Sequence, residues 1–226
     1  RSGADDDPVS AFGGLPPELN GTTLEDLDGQ NSPLPEYTND PTLLVNLSTD
    51  GGSADDLFIS EDGFATSTTL PVNNPTTYTL SNSSEGEKVV STQLSNLFGS
   101  SSVTSDSITL DVTDPTSNAT GPSGTLDQPN PVISVTYNAS DNNGVQGVRL
   151  FYNRDGSGWQ EYTSGAPFTS SPIGFDTTGT GGEGTYDFYT IATDVAGNEE
   201  SKSPTAETTV TFNDTTNVRE WMLLDD

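Results

Sequence analysis

The sequence predicts an all-β protein made of two tandem sandwich domains with extended segments at both ends. The prediction rests on an internal repeat, on short stretches that alternate apolar and polar residues, and on the lack of any amphipathic helical pattern. The repeat is spaced by roughly 90–100 residues, which is the length of one small β-domain. We therefore expect an acidic extension at 1–40, a first domain at 41–114, a linker at 115–128, a second domain at 129–213 and a tail at 214–226.

The repeat is visible at two places in the chain. Residues 57–63, Leu-Phe-Ile-Ser-Glu-Asp-Gly, return as residues 150–156, Leu-Phe-Tyr-Asn-Arg-Asp-Gly. Glu85-Gly86 followed by Asn96 returns as Glu183-Gly184 followed by Asp194, with the same gap in both copies. Both copies thus keep a strand, an Asp-Gly turn and the start of a late strand.

The predicted elements follow in chain order. Pro and Gly interrupt residues 1–40, so no long element is expected there. Period-two alternation predicts strands in the first domain at 43–47, 57–59, 76–80, 88–94 and 107–112. Pro, Gly, Ser, Asn and Thr dominate the linker. The same alternation predicts strands in the second domain at 133–137, 148–152, 159–162, 186–192 and 208–212. Asp155-Gly156 is typical of a hairpin turn, because both residues tolerate positive φ.

The second domain also carries a recognisable motif. Gly184-Thr185-Tyr186-Asp187-Phe188, followed by Ala192-Thr193-Asp194-Val195-Ala196-Gly197-Asn198, resembles the late strand of the Ig-like and fibronectin-III-like modules of prokaryotic cell-surface and adhesin proteins. The first domain departs from this motif at Lys88, Val90, Asn96 and Ser100. The resemblance covers roughly residues 41–213 and implies two Ig-like β-sandwiches that are repeated, non-enzymatic and located at the cell surface.

Charge limits the partners that the chain can have. Lys and Arg number 6 against 34 Asp and Glu, for a net charge of −28. Such a surface repels nucleic acid and anionic lipid. No apolar run approaches the ~20 residues that span a bilayer, so membrane insertion is not expected. The acidity has two open explanations, which are adaptation to high salt and binding of divalent cations.

Calcium is the cofactor that these carboxylates could hold, since it prefers hard oxygen ligands. The candidate ligands lie in predicted loops and around the linker: Asp111, Asp114, Asp141, Asp155, Asp194 and Asn198. The alternative is plain turn chemistry, in which Asp accepts backbone N–H bonds and Asn tolerates left-handed φ.

The residue types present limit which covalent modifications and catalytic mechanisms the chain can support. Asn-x-Ser/Thr sequons, which are acceptors for N-glycosylation, occur at Asn20, Asn46, Asn82, Asn118, Asn138 and Asn213. Histidine and cysteine are absent, so imidazole bases, thiol catalysis and disulfides are excluded. Carboxylate pairs are the remaining catalytic option, and so acidic a chain forms them by accident. We expect no enzyme activity.

The terminal segments carry unexpected apolar residues for a chain that is 29% hydrophobic. These candidate subunit contacts are Val9, Phe12, Leu15, Trp221, Met222, Leu223 and Leu224. We expect a structural subunit of an extracellular assembly, a filament, sheath or surface layer, that is joined to other copies by terminal segments or exchanged strands. The alternative is an adhesin or carbohydrate-binding module that presents Trp159, Tyr162 and Tyr152 in a groove.

Overall fold

The computed structural model describes residues 14–27 and 36–216. Every regular element in this part of the chain is a β-strand, and the strands fall into two compact units divided between Leu110 and Asp111. The all-β, two-sandwich fold class predicted from the sequence is confirmed.

Unit 1 contains nine strands: β1 (Pro17–Asp26), β2 (Tyr37–Thr38), β3 (Thr42–Gly51), β4 (Asp56–Ser60), β5 (Thr68–Pro71), β6 (Thr76–Thr79), β7 (Gly86–Asn96), β8 (Gly99–Ser100) and β9 (Thr104–Leu110). One sheet has the order β1-β3-β6 and the other the order β2-β9-β7-β4-β5, with β8 paired to β7. The short β2 pairs in parallel with β9, whereas the other pairs are antiparallel.

Unit 2 contains eight strands: β10 (Thr116–Gly121), β11 (Gly124–Gln128), β12 (Val132–Ser140), β13 (Val145–Arg154), β14 (Gln160–Tyr162), β15 (Ile173–Asp176), β16 (Gly184–Asp194) and β17 (Thr208–Asp214). Its sheets have the orders β10-β12-β15 and β11-β17-β16-β13-β14. Apart from the added β8 of unit 1, this is the strand order of unit 1, and β7 and β16 are both 11 residues long. The sequence repeat therefore corresponds to equivalent strands.

Each unit has its own apolar core between its two sheets. In unit 1 the core is mainly aliphatic, with Leu43, Leu57, Ile59 and Leu110 fully buried. In unit 2 aromatic rings join the aliphatic side chains: the Phe175 ring lies 5.0 Å from Phe188 and 5.4 Å from Tyr186, centroid to centroid. Tilted and edge-on rings of this kind add to the energy of burial. Alternating strands supply both cores, as their sequence pattern predicts.

The structure differs from the expected boundaries at the start of unit 1. Strand β1 lies within the expected extension, and Leu19 and Leu24 bury their side chains at 3% and 2% exposure. The pairing register of β1 with β3 shifts between Leu19 and Gly21. Because of this bulge, Leu19 and Leu24 both face the core although their positions differ by an odd number, so the period-two pattern is broken.

The expected linker is also part of a sandwich. Residues 116–121 and 124–128 form β10 and β11, which pair with β12 and β17. Their composition is that of a loop, and Ala119 is the fully buried apolar residue of β10. Backbone pairing holds these strands in their sheets, and apolar periodicity does not reveal such pairing.

Candidate functional site

Three aspartates converge at one corner of unit 2. Asp111 precedes β10, Asp141 follows β12 and Asp194 ends β16. One carboxylate oxygen from each lies within 4.8 Å of the others. No other group of three potential metal ligands occurs in residues 14–27 and 36–216. The loops at this end of the sandwich thus bring together three of the candidate ligands.

Asp194 organises the turn that follows β16. Its Oδ1 accepts hydrogen bonds from the backbone N–H groups of Ala196 at 2.9 Å and Asn198 at 2.8 Å. Its Oδ2 accepts one from the side-chain amide of Asn198 at 2.8 Å, and that amide also donates to the carbonyl of Asp111 at 2.9 Å. Asn198 therefore presents its nitrogen to the cluster and braces the carboxylates.

A second turn holds the other two aspartates. Asp141 Oδ1 accepts from the backbone N–H groups of Asn143 at 2.8 Å and Gly144 at 3.1 Å. The side-chain amide of Asn143 donates to Asp111 Oδ2 at 2.8 Å. Asn143 was not among the predicted site residues; its signal is the run Asp141-Asn142-Asn143-Gly144, which is typical of a tight turn.

The electrostatics of the cluster are unfavourable without a cation. Asp111 and Asp194 are both fully buried. Burial raises the pKa of Asp194, the bonds from Asn198 lower it, and the nearby charge of Asp111 raises it again, for a net increase. Buried carboxylates are normally paired with a positive group or a metal. Three oxygens at this spacing are suited to a hard divalent cation such as calcium.

The remaining predicted ligands lie outside the cluster. Asp155, at φ 51° in the hairpin turn, accepts from Thr185 N at 2.8 Å. Thr185 lies nine residues before Asp194 on β16, so this turn is roughly 30 Å from the cluster. Asp114 is exposed and does not belong to the group. The structure thus brings Asp111, Asp141, Asp194 and Asn198 together and leaves Asp114 and Asp155 apart.

In unit 1 the end of β7, which corresponds to the end of β16, carries exposed apolar residues instead of aspartates. We call this surface the leading corner and define it by Leu15, Leu97 and Phe98. Their exposed fractions are 66%, 89% and 51%. Asn96, the repeat counterpart of Asp194, accepts from Phe98 N at 2.8 Å and donates to the carbonyl of Leu15 at 2.9 Å. The same kind of turn therefore supports carboxylates in unit 2 and exposed apolar side chains in unit 1.

Leu15 is the predicted subunit contact that the structure describes. The other such residues, Val9, Phe12, Trp221, Met222, Leu223 and Leu224, lie outside the described residues.

The sequons differ in accessibility. Asn20, Asn82, Asn118, Asn138 and Asn213 are exposed. The Nδ2 atom of Asn46, to which a glycan would be attached, is buried and has no hydrogen-bond partner. Asn118 and Asn138 face each other across β10 and β12, so two glycans there would compete for the same space.

A cleft of about 590 Å³ in unit 1 contains the carboxylates of Glu61 and Asp62. Glu61 accepts from Tyr78 Oη at 2.6 Å and Ser81 N at 2.7 Å. Burial opposes its ionisation, but these bonds outweigh burial and lower the pKa of Glu61. Hydrogen bonds from Thr66 lower the pKa of Asp62 as well. The lowered pKa values move both groups away from the near-neutral range in which a general acid or base works best.

No family model matches the chain, and neither does any curated protein. Among solved structures, the chain is similar to the FN1-FN3 domains of chicken CNTN1, with 12% identity and a TM-score of 0.43 over 86% of this chain and 69% of that one. The described residues contain no helix capable of crossing a bilayer.

Proposed function

We propose that the chain is a non-catalytic structural subunit of an extracellular prokaryotic assembly, such as a filament, sheath or surface layer. Its sandwiches serve as rigid blocks, and the apolar segment Trp221-Met222-Leu223-Leu224 of one copy docks on the leading corner of another. The observation that carries this proposal is the exposure of Leu15, Leu97 and Phe98 at one corner of a strongly acidic chain.

The geometry of the leading corner supports docking. Leu97 and Phe98 form the tip of the turn between β7 and β8, and Asn96 ties that turn to the segment before β1. These hydrogen bonds fix the backbone that carries the three side chains. Preorganised apolar groups contribute more to binding because less conformational entropy is lost.

The net charge of the chain favours contact between copies through apolar segments. Two copies that each carry a net charge of −28 repel one another, so contact requires apolar area and screening ions. Residues 221–224 supply one aromatic and three aliphatic or thioether side chains in a row. The eight residues 217–224 can span at most about 28 Å beyond the last described residue of unit 2.

In this proposal, calcium stabilises unit 2 and takes no part in catalysis. Ions bound by Asp111, Asp141 and Asp194 neutralise buried charge and fix two loops of unit 2 against each other. The aspartate cluster then acts as a structural cation site.

Sedimentation of the full chain in salt and calcium tests the proposal. We expect oligomers for the unmodified chain and a monomer for the double variant Leu97→Asp/Phe98→Asp. Trp221→Asp/Leu223→Asp should give the same monomer, because it alters the other side of the contact. The control is Val89→Asp, which adds a charge at another exposed apolar site far along β7 and should leave assembly intact. A monomeric unmodified chain under all these conditions would overturn the proposal.

A further inference from the structure

Unit 2 contains an aromatic groove that the proposed assembly does not use. Two clefts of about 320 and 280 Å³ share Tyr152, Gly179 and Thr180 and so form one continuous groove. It runs between the β13–β14 hairpin and the segment after β15. Together the clefts reach the size of ordinary ligand sites, which is about 300–1,000 Å³. We propose that this groove binds a neutral carbohydrate chain.

Aromatic rings line the groove in a fixed position. Tyr152 and Tyr162 lie on the same face of the sheet, and their ring centroids are 5.0 and 4.8 Å from that of Phe175 in the core. The Tyr162 hydroxyl donates to Gly174 O and accepts from Asp176 N, both at 3.2 Å. A rigid aromatic surface of this kind can stack against the C–H face of a sugar ring with little loss of entropy.

Polar groups with unused hydrogen-bonding capacity surround these rings. The Tyr152 hydroxyl donates to Gln160 Oε1 at 3.0 Å, which leaves the amide nitrogen of Gln160 available to a ligand. Asp176 Oδ1 accepts from the Thr178 backbone at 2.9 Å and the Thr178 hydroxyl at 2.7 Å, and its Oδ2 accepts nothing from the described residues. A donor and an acceptor thus flank an aromatic surface, as recognition of adjacent sugar hydroxyls requires.

Charge decides which carbohydrates fit. Asp155, Glu161 and Asp176 line the groove, with Arg154 as the cation among its lining residues, and the whole chain is strongly acidic. Acidic glycans are therefore repelled, whereas neutral sugars carry no such penalty.

Trp159, the third aromatic residue predicted for a groove, lies on the other face of the sheet. It packs edge-on against Tyr189 at 4.7 Å, and Tyr189 stacks on Phe151. Phe151 and Tyr152 are successive residues of β13 and so point to opposite faces. Trp159 therefore offers a matched control for the groove.

A glycan array probed with the full chain, followed by titration calorimetry with the best neutral oligosaccharide, tests the inference. We expect binding to neutral glycans that is weakened at least tenfold by Tyr152→Ala and by Gln160→Ala. Trp159→Ala should leave the affinity unchanged, and Tyr152→Phe should largely preserve it. Gln160 is exposed, so Gln160→Ala reports on the groove even if Tyr152→Ala unfolds unit 2. A silent array, binding restricted to acidic glycans, or full affinity in Gln160→Ala would each overturn the inference.

Discussion

Lys202 and Glu207 form an ion pair at the junction of the two sheets of unit 2, with Nζ 2.6 Å from Oε1. The other oxygen of Glu207 accepts from Ala119 N on β10 at 2.6 Å and from Thr190 N on β16 at 3.0 Å. Glu200 lies 3.1 Å from the same ammonium and makes similar bonds to β10 and β16. One ammonium thus lies between two carboxylates that join the sheets.

We predict that Lys202→Met destabilises unit 2 by about 2–4 kcal/mol, because it leaves two largely buried carboxylates without a counter-charge. Urea unfolding followed by circular dichroism measures the loss. The matched control is Arg149→Met, since its pairs with Glu161 and Glu199 are more exposed and should contribute below about 1 kcal/mol. Equal losses in the two variants would contradict the role assigned to Lys202.

Calcium should stabilise unit 2 through the aspartate cluster. At a concentration of 100 times its dissociation constant, a ligand that binds only the folded state adds about 2.7 kcal/mol. We expect calorimetry to show this increase on adding calcium to the chelator-treated chain, and to show none for Asp194→Asn. The control is Asp155→Asn, which removes a carboxylate at the other end of β16 and should keep the full response. A calcium response that survives in Asp194→Asn would exclude this site.

Without calcium, the raised pKa of Asp194 predicts that this residue contributes more to stability at acidic pH than at neutral pH. A raised pKa in the folded state means that folding favours the proton, so this group adds stability at low pH and loses it as the pH rises through the folded pKa. The unfolding free energy of the unmodified chain minus that of Asp194→Asn should therefore increase as the pH falls from 7 towards about 4. Saturating calcium should abolish the trend, and a flat difference in chelator would contradict it.

Much of the fold could be predicted because most core residues come from strands with regular alternation, such as Ile133 and Val135 or Phe188 and Ala192. Strand β1 could not, because its bulge breaks the alternation between Leu19 and Leu24. Strands β10 and β11 could not be predicted for another reason. Backbone pairing to β12 and β17 holds their polar sequences in a sheet.

The candidate site was predictable only in parts. Asp141 and Asp194 could be placed in loops, and Asp111 beside the expected linker. Their meeting depends on which strand ends share a corner, and that is a property of topology. The cluster is therefore absent from any local window of sequence. Likewise, the sequon at Asn46 carries no sign that its amide nitrogen is buried. Local motifs specify a residue's chemistry, whereas three-dimensional placement determines its neighbours and its accessibility.

The parallel pairing near the two ends of each unit has a mechanical consequence. In unit 2, β11 lies alongside β17 over five residue pairs, whereas in unit 1 β2 lies alongside β9 over two. When the ends of a unit are pulled apart, such strands slide lengthwise, and their hydrogen bonds are loaded together in shear instead of opening one by one. Five pairs share a tensile load better than two, so β2 should slip along β9 at a lower force than β11 along β17.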